Sequence, residues 1–329
     1  MTQGTELWRQ IQSQPDELDR VLVSGGVKTQ VHAAAEALHR VRRIWVVGTG
    51  SSQHAAHLGA AMLQDAGRSA HAVSSMQFVK NAPIVGPQDG IVVISHSGET
   101  SYALAARALA FSAGLQTVMI TREGLGMNDA IETCRKETSE TYTVSYTTTL
   151  LILAMLASGM GADTLVPDKL ALVPGSVRNA IEASGTEQIP LPQRSLQLVG
   201  AGHAAITARE GALKVREAAR LLAEGYDAEF FLHGSAVPLS SSDHLLALTL
   251  GDEDGLVTGV ARAASASGIG VTLLDEPAPL PPLLAQIPYA VRLQLLAARF
   301  AAERGQDPDR VIVGAWEDKV LWGIGSPLR

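Results

Sequence analysis

Two distant stretches of the chain carry nearly the same text, and this repeat limits the fold more than any other feature. The apolar run RIWVV over 43–47 ends in Gly48-Thr-Gly50, and the run SLQLV over 195–199 ends in Gly200-Ala-Gly202. Each glycine turn opens a helical pattern, predicted over 53–66 and 204–222. In each pattern a Gly-Ala pair falls eleven residues after the first glycine, Gly59-Ala60 and Gly211-Ala212. Strand, glycine turn and helix together open an α/β domain. Further strands are predicted over 70–73, 90–94 and 117–121, answered in the second half by 245–250 and 271–274. Helices are predicted over 76–80, 103–113 and 289–304. Continuous apolar strands alternating with helices imply a parallel sheet covered on both faces. Self-similar halves imply internal duplication of an α/β domain. The first forty residues read as amphipathic helix, and a looser stretch with Pro174, Gly175, Pro190 and Pro192 marks a boundary. The expected divisions are 1–40, 41–172 and 173–329.

Composition narrows the partners. Of 329 residues 46% are hydrophobic and 18% charged, which argues against disorder. A formal charge of −7 argues against a general nucleic-acid binder, which would show a basic stripe. A local pocket for a small anion remains compatible with it. The single cysteine, Cys134, excludes an intrachain disulfide framework and a C-x-x-C zinc site, and a reduced cytosol is the simplest compartment. The longest apolar stretch, 150–157, is far short of a membrane span and reads as a buried helix. The N-terminus lacks the pattern of a signal peptide. A soluble, cytoplasmic protein with no membrane partner is expected.

The chemistry gathers at strand ends, where ligands of open parallel sheets bind. After the third predicted strand stands Ile94-Ser-His-Ser-Gly-Glu-Thr100. The hydroxyls of Ser95, Ser97 and Thr100 can donate to an oxyanion, Gly98 lets the backbone approach, and a helix N-terminus follows. Gly48, Thr49, Ser51 and Ser52 stand at the first strand end in the same way. For any one hydroxyl, helix capping is an equal alternative; the cluster favours an anion site. The corresponding turn of the second half, Gly251-Asp-Glu-Asp-Gly255, carries three carboxylates, so one anion site per chain is expected. GTGSSQ lacks the third glycine of a dinucleotide fingerprint, and there is no phosphate loop ending in Gly-Lys-Ser/Thr; no cofactor is expected. Glu210, Lys214 and Glu217 fall on one helix face. That spacing alone equally describes a solvated salt-bridge ladder, but apolar neighbours and the glycine turn before it favour a site. His233, ahead of Gly234 in a predicted loop, joins a helix carboxylate as an acid–base set.

GTGSS, ISHSGET and EGALKVREAARLLAEGYDAEFFLHGS resemble the sugar isomerase (SIS) domain family, in particular the isomerase half of glucosamine-6-phosphate synthase and its stand-alone relatives. The likeness covers nearly the whole chain. It implies two tandem SIS domains, each a flavodoxin-like parallel sheet between helices, and an open sugar phosphate held at a homodimer interface without metal. Carried over by motif, the substrate would be bound by Gly48, Thr49, Ser51, Ser52, Ser95, His96, Ser97, Thr100, Ser145 and Glu210, with His96 replacing a common glutamine. Glu217 would be the base that moves a proton between C1 and C2. Lys214 would stabilise the developing oxyanion, and His233 would assist ring opening in the neighbouring subunit's site. The sequence departs from the family in three places. Thr2 follows Met1 where the synthase has a cysteine nucleophile, so glutamine-dependent amination is not expected. Thr147 stands where a lysine would fall. Lys319 is the only lysine of the tail after Asp307-Pro-Asp-Arg310, at a different spacing. The expectation is a metal-independent aldose–ketose isomerase acting on a phosphorylated or sulfonated hexose or amino sugar. A deaminase or fructosamine-phosphate deglycase is the alternative, and a non-catalytic sugar-phosphate sensor is a third class.

Overall fold

Runs of buried, β-branched and aliphatic residues become the inner strands of two parallel sheets. The structure is a computed structural model describing residues 4–81, 83–275 and 280–327. Arg43–Gly48 (β1), Ala70–Ser74 (β2), Asp89–Ile94 (β3), Gln116–Thr121 (β4) and Ala130–Glu132 (β5) form one sheet in the order β2-β1-β3-β4-β5. Ser195–Gly200 (β6), Leu222–Asp227 (β7), His244–Leu248 (β8) and Gly270–Leu274 (β9) form the other in the order β7-β6-β8-β9. Every pairing in both is parallel. The four strands of the second sheet repeat the order of the first four of the first sheet. In each, the chain reverses direction across the sheet at the first strand, which opens a crevice at the carboxyl ends.

Thirteen α-helical segments appear among the described residues. Glu6–Val23 (α1) and Gly25–His39 (α2) precede the first sheet, separated by Ser24, whose hydroxyl accepts the Val27 amide. Ser51–Asp65 (α3), Ser75–Lys80 (α4), Ser101–Ser112 (α5) and Val144–Gly159 (α6) accompany the first sheet. Pro167–Leu170 (α7) and Val173–Glu182 (α8) connect it to the second. His203–Ala219 (α9), Ala228–Phe230 (α10), Leu256–Ala266 (α11), Pro282–Glu303 (α12) and Lys319–Trp322 (α13) complete the chain. The five-stranded sheet belongs to a compact unit of residues 14–137, 144–174 and 312–329. The four-stranded sheet belongs to a unit of 1–13, 138–143 and 175–311. Among the described residues no helix is long and apolar enough to cross a membrane.

The repeated glycines have a common packing cause. A Cβ on Gly48 would overlap the Ser52 carbonyl, and one on Gly200 would overlap the backbone of Ala204. Each helix therefore starts tight against the strand before it. A Cβ on Gly59 would strike Leu153 of α6, and one on Gly211 would strike Leu293 of α12. α6 and α12 are buried nearly all round, as their apolar sequences require. The Gly-Ala pair is thus the place where a buried helix crosses the first helix of each half.

Several elements differ from expectation. The helix predicted over 204–222 ends at Ala219, because Arg220 takes a left-handed backbone with φ 50°. Leu222 then begins β7, whose half-exposed sequence LAEGYD lacks the continuous apolar run of an inner strand. The three-residue β5 was too short to declare itself. The last long helix starts at Pro282 instead of near 289, with Pro288 inside it. A proline in the first turn is tolerated, since the amide it lacks is unpaired there anyway.

Candidate active site

Two turns leave the same edge of the five-stranded sheet side by side, since Val47 of β1 lies opposite Val93 of β3. In the first, Gly50 adopts φ 57° as the N-cap of α3 and offers no side-chain cap. The Ser52 amide donates to the Thr49 carbonyl at 3.1 Å, closing the turn and setting Thr49 and Ser51 on its rim. In the second, buried Ser95 donates its hydroxyl to Thr100 Oγ1 at 3.1 Å, and Ser97 Oγ accepts the Glu99 amide at 3.1 Å. Gly98 turns with φ 69°, where a Cβ would strike Leu125. Thr100 is the N-cap of α5 and makes no side-chain cap. The predicted hydroxyls are therefore gathered at one sheet edge, before two helix N-termini that carry partial positive charge.

His96 turns to a different task from its neighbours. Its Nε2 accepts the Glu137 amide at 3.4 Å, which requires a neutral ring with its proton on Nδ1. Burial depresses the imidazole pKa, Arg122 and Lys136 push the same way, and the Glu137 carboxylate opposes them. That carboxylate caps α6 by accepting the amides of Val144 at 3.0 Å and Ser145 at 2.9 Å. Ser145, predicted to bind substrate, thus lies buried beside a carboxylate at the start of α6. Arg122, one residue past β4, donates its amide to the His96 carbonyl at 3.1 Å. Neither Arg122 nor Glu137 was singled out from the sequence; the available signal was a cation standing directly at a strand tip.

The tail returns to this edge. Ser101, the first residue of α5, donates its hydroxyl to the Trp322 carbonyl at 2.6 Å, and Trp322 Nε1 donates to the Trp316 carbonyl at 2.6 Å. A Cβ on Gly325 would meet the Tyr102 ring. The tail thus rests on the first turn of α5, with Lys319 exposed at the start of α13.

In the four-stranded unit, α9 carries the second group. Lys214 is buried to 1% exposure and bridges two carboxylates. It is hydrogen-bonded to Glu217 and lies 3.7 Å from Glu210, itself buried to 1%. Glu217 keeps 21% of its side chain exposed. Burial raises the Glu217 pKa, with Glu210 adding to the rise and Lys214 opposing it. One ammonium between two carboxylates leaves a surplus negative charge in a desolvated place, so a proton is held more tightly there. His233 lies in a helical turn, Phe231–Ser235, instead of the predicted loop. The turn is kinked at His233 (ψ 42°) and Gly234 (φ 118°), and His233 is exposed. The hydroxyl cluster and the Lys214 cluster thus belong to different compact units. Among the described residues, no three His, Cys, Asp or Glu side chains gather as a metal would require.

Residues 37–159 match the SIS domain model. The matched stretch, which holds β1 to β5, is similar to a SIS domain. The chain is 28% identical over 319 residues to a glutamine–fructose-6-phosphate aminotransferase (isomerizing) of Pyrococcus horikoshii, covering 88% of this chain and 53% of that one. The chain therefore spans about half the length of the curated relatives it matches. Its fold is similar to the C-terminal domain of glucosamine-fructose-6-phosphate aminotransferase from Francisella tularensis. That likeness has a TM-score of 0.80 at 19% identity, over 94% of this chain and all of that one. It is also similar to tagatose-6-phosphate ketose/aldose isomerase from Escherichia coli, with a TM-score of 0.79 at 19% identity over 96% and 98% of the two chains. The SIS domain match takes in both hydroxyl turns, His96, Glu137 and Ser145.

Proposed function

We propose that this protein is an aldose–ketose isomerase acting on an anionic hexose or amino sugar, built from two tandem SIS domains. The observation that carries the reading is Glu217, a carboxylate of raised pKa held by a buried lysine near the end of α9. A base that exchanges a carbon-bound proton works best with its pKa moved toward neutrality. Glu217 removes the proton from C2 of the open aldose, and electrons flow into the C1 carbonyl to give an enediolate. The ammonium of Lys214 stabilises the negative charge on oxygen. Glu217 then gives a proton, partly exchanged with solvent, to C1 while the proton of the C2 hydroxyl passes to the C1 oxygen, leaving the carbonyl at C2, so nothing is gained or lost overall. Ser95, Ser97 and Thr100, with Thr49, Ser51 and Ser52 beside them, anchor the anionic group away from the reacting carbons.

The reading includes a homodimer with His233 serving the ring-opening step of its partner. Its support is the exposed apolar patch around His233, where Phe230, Leu232 and Val237 are 60%, 52% and 83% exposed. Patches of this kind mark surfaces that another molecule covers.

The test is isotope exchange. Wild-type protein incubated in heavy water with a panel of hexose and amino-sugar 6-phosphates should place deuterium at C1 or C2. Glu217→Gln should slow that exchange by about a thousandfold, within the usual reach of general-base catalysis. Ammonia release from the amino sugars would move the reading to a deaminase. Tight binding with no exchange anywhere in the panel would leave a sensor.

A further inference from the structure

Resting on that reading, we propose that Arg122 completes the anion site and makes the protein select a dianionic phosphate ester over a monoanionic sulfate or sulfonate. The geometry begins with register. Ile94 of β3 lies opposite Ile120 of β4, so two residues on, Arg122 stands opposite His96, and the bond from its amide to the His96 carbonyl fixes that alignment. Arg122 therefore leaves the sheet at the same edge as the Ser95–Thr100 turn.

Its charge has no match of its own. Arg122 is half-buried, and its Nε is buried with no hydrogen-bond partner. Among the described residues its one side-chain bond runs from Nη1 to the Glu123 carbonyl at 3.2 Å. The Glu123 carboxylate turns instead to Arg20 at 2.6 Å and Arg135 at 3.9 Å. The Glu137 carboxylate faces the amides of α6. Among the described residues Arg122 forms no ion pair. A partly desolvated guanidinium without a counter-charge is costly to keep. It becomes favourable when an anion arrives, and the hydroxyls that would hold one are in the turn that follows the neighbouring strand.

The count of charge decides the kind of anion. A helix N-terminus offers about half a positive charge, and Arg122 adds a full one. A phosphate monoester carries about −1.5 to −2 at neutral pH, which this pair matches, whereas a sulfate ester or sulfonate carries a single charge and gains less. The guanidinium also presents a planar fork suited to two oxygens of one phosphate.

The experiment compares two ions of one shape. Methyl phosphate and methyl sulfate are titrated at pH 8 into the 329-residue chain, and binding is followed by the amide chemical shifts of Ser97 and Gly98. Wild type should favour the phosphate by about tenfold or more, between the effect of one added charge in bulk water and its effect at an effective dielectric of 20. Arg122→Gln should erase most of that preference by weakening methyl phosphate, and Arg122→Lys, which keeps the charge, should retain much of it. If Arg122→Gln and Arg122→Lys both bind the two ions in the wild-type ratio while Ser97→Ala weakens both ions, the anion site stands and the role of Arg122 is overturned. If wild type shifts neither amide with either ion, the anion-site reading fails together with the proposal.

Discussion

The turn after β3 and the turn after β8 occupy equivalent places in their sheets, and they treat the helix that follows in opposite ways. Each leaves a fully buried strand, turns through a glycine with positive φ and enters a helix of similar length. Before α11, Asp252 accepts the amides of Val257 at 2.8 Å and Thr258 at 2.9 Å and the Thr258 hydroxyl at 2.6 Å. Asp254 accepts the Leu256 amide at 3.0 Å. Burial works against the Asp252 charge, but the Thr258 hydroxyl and the two amides outweigh it and hold its carboxyl below the usual range. Before α5 there is no carboxylate cap; the hydroxyls of Ser95 and Thr100 bond to each other. One helix N-terminus is thus capped by carboxylates of its own chain, and the other has no side-chain cap. The difference rests on which side chains reach the helix amides in a turn of shared topology, so topology alone does not set the chemistry of a strand end.

The strongest way to break this contrast is to write the second turn into the first. Ser97→Asp keeps an acceptor for the Glu99 amide, so the turn should still form. The new carboxylate would repel the ligand's anionic group by about 4 kcal/mol for unit charges 4 Å apart at an effective dielectric of 20. Affinity for methyl phosphate should fall by about a thousandfold with little change in thermal midpoint. Unchanged affinity would mean the anion does not sit at this turn.

Next in size is a pair of glycine replacements. Both Gly98 and Gly255 take a left-handed backbone, with φ of 69° and 76°. Such a conformation costs an L-residue about 1–2 kcal/mol. At Gly98 the added methyl also strikes Leu125, whereas at Gly255 nothing lies within 4 Å. Overpacking adds about 1–3 kcal/mol. In urea unfolding, Gly98→Ala should therefore destabilise clearly more than Gly255→Ala. Equal losses would mean the first turn is no more tightly built than the second.

Much of this contrast could be read before any coordinates. β1, β3, β4, β6 and β8 are continuous apolar runs, which only a buried parallel strand needs. The hydroxyls of 95–100 and the carboxylates of 252–254 stand openly in the text. What stayed hidden depends on long-range partners. β7 is half-exposed, and its start is masked because the preceding helix stops at an arginine where a glycine would have signalled the end. The motif places His96 among the substrate groups, and only the fold shows that its ring receives the amide of Glu137, a segment after β5. Arg122 carries no motif, and its meaning appears only when β4 is set beside β3. The tail's docking on Ser101 pairs residues 221 positions apart, which no local pattern records.

The smallest effect tests the other half of the comparison. Asp252→Ala removes three hydrogen bonds at the start of α11, and loss of such a cap costs about 1–2 kcal/mol. For a unit of this size the thermal midpoint should fall by about 2–4 °C per kcal/mol. The sign with pH follows from the depressed carboxyl of Asp252. In the unfolded chain an aspartate titrates near about 3.9. The folded state holds the ionised form more tightly, so its stabilising contribution is complete above that value and is lost as pH falls through the lower, folded pKa. The gap in thermal midpoint between wild type and Asp252→Ala should therefore be full at pH 7 and close below about pH 4. No such closing should occur for Ser97→Ala, since the group removed there is a hydroxyl that does not titrate in this range. A gap for Asp252→Ala that persists undiminished into acid would mean the charge of Asp252 is not what satisfies the helix, and the two turns would differ in shape instead of in electrostatics.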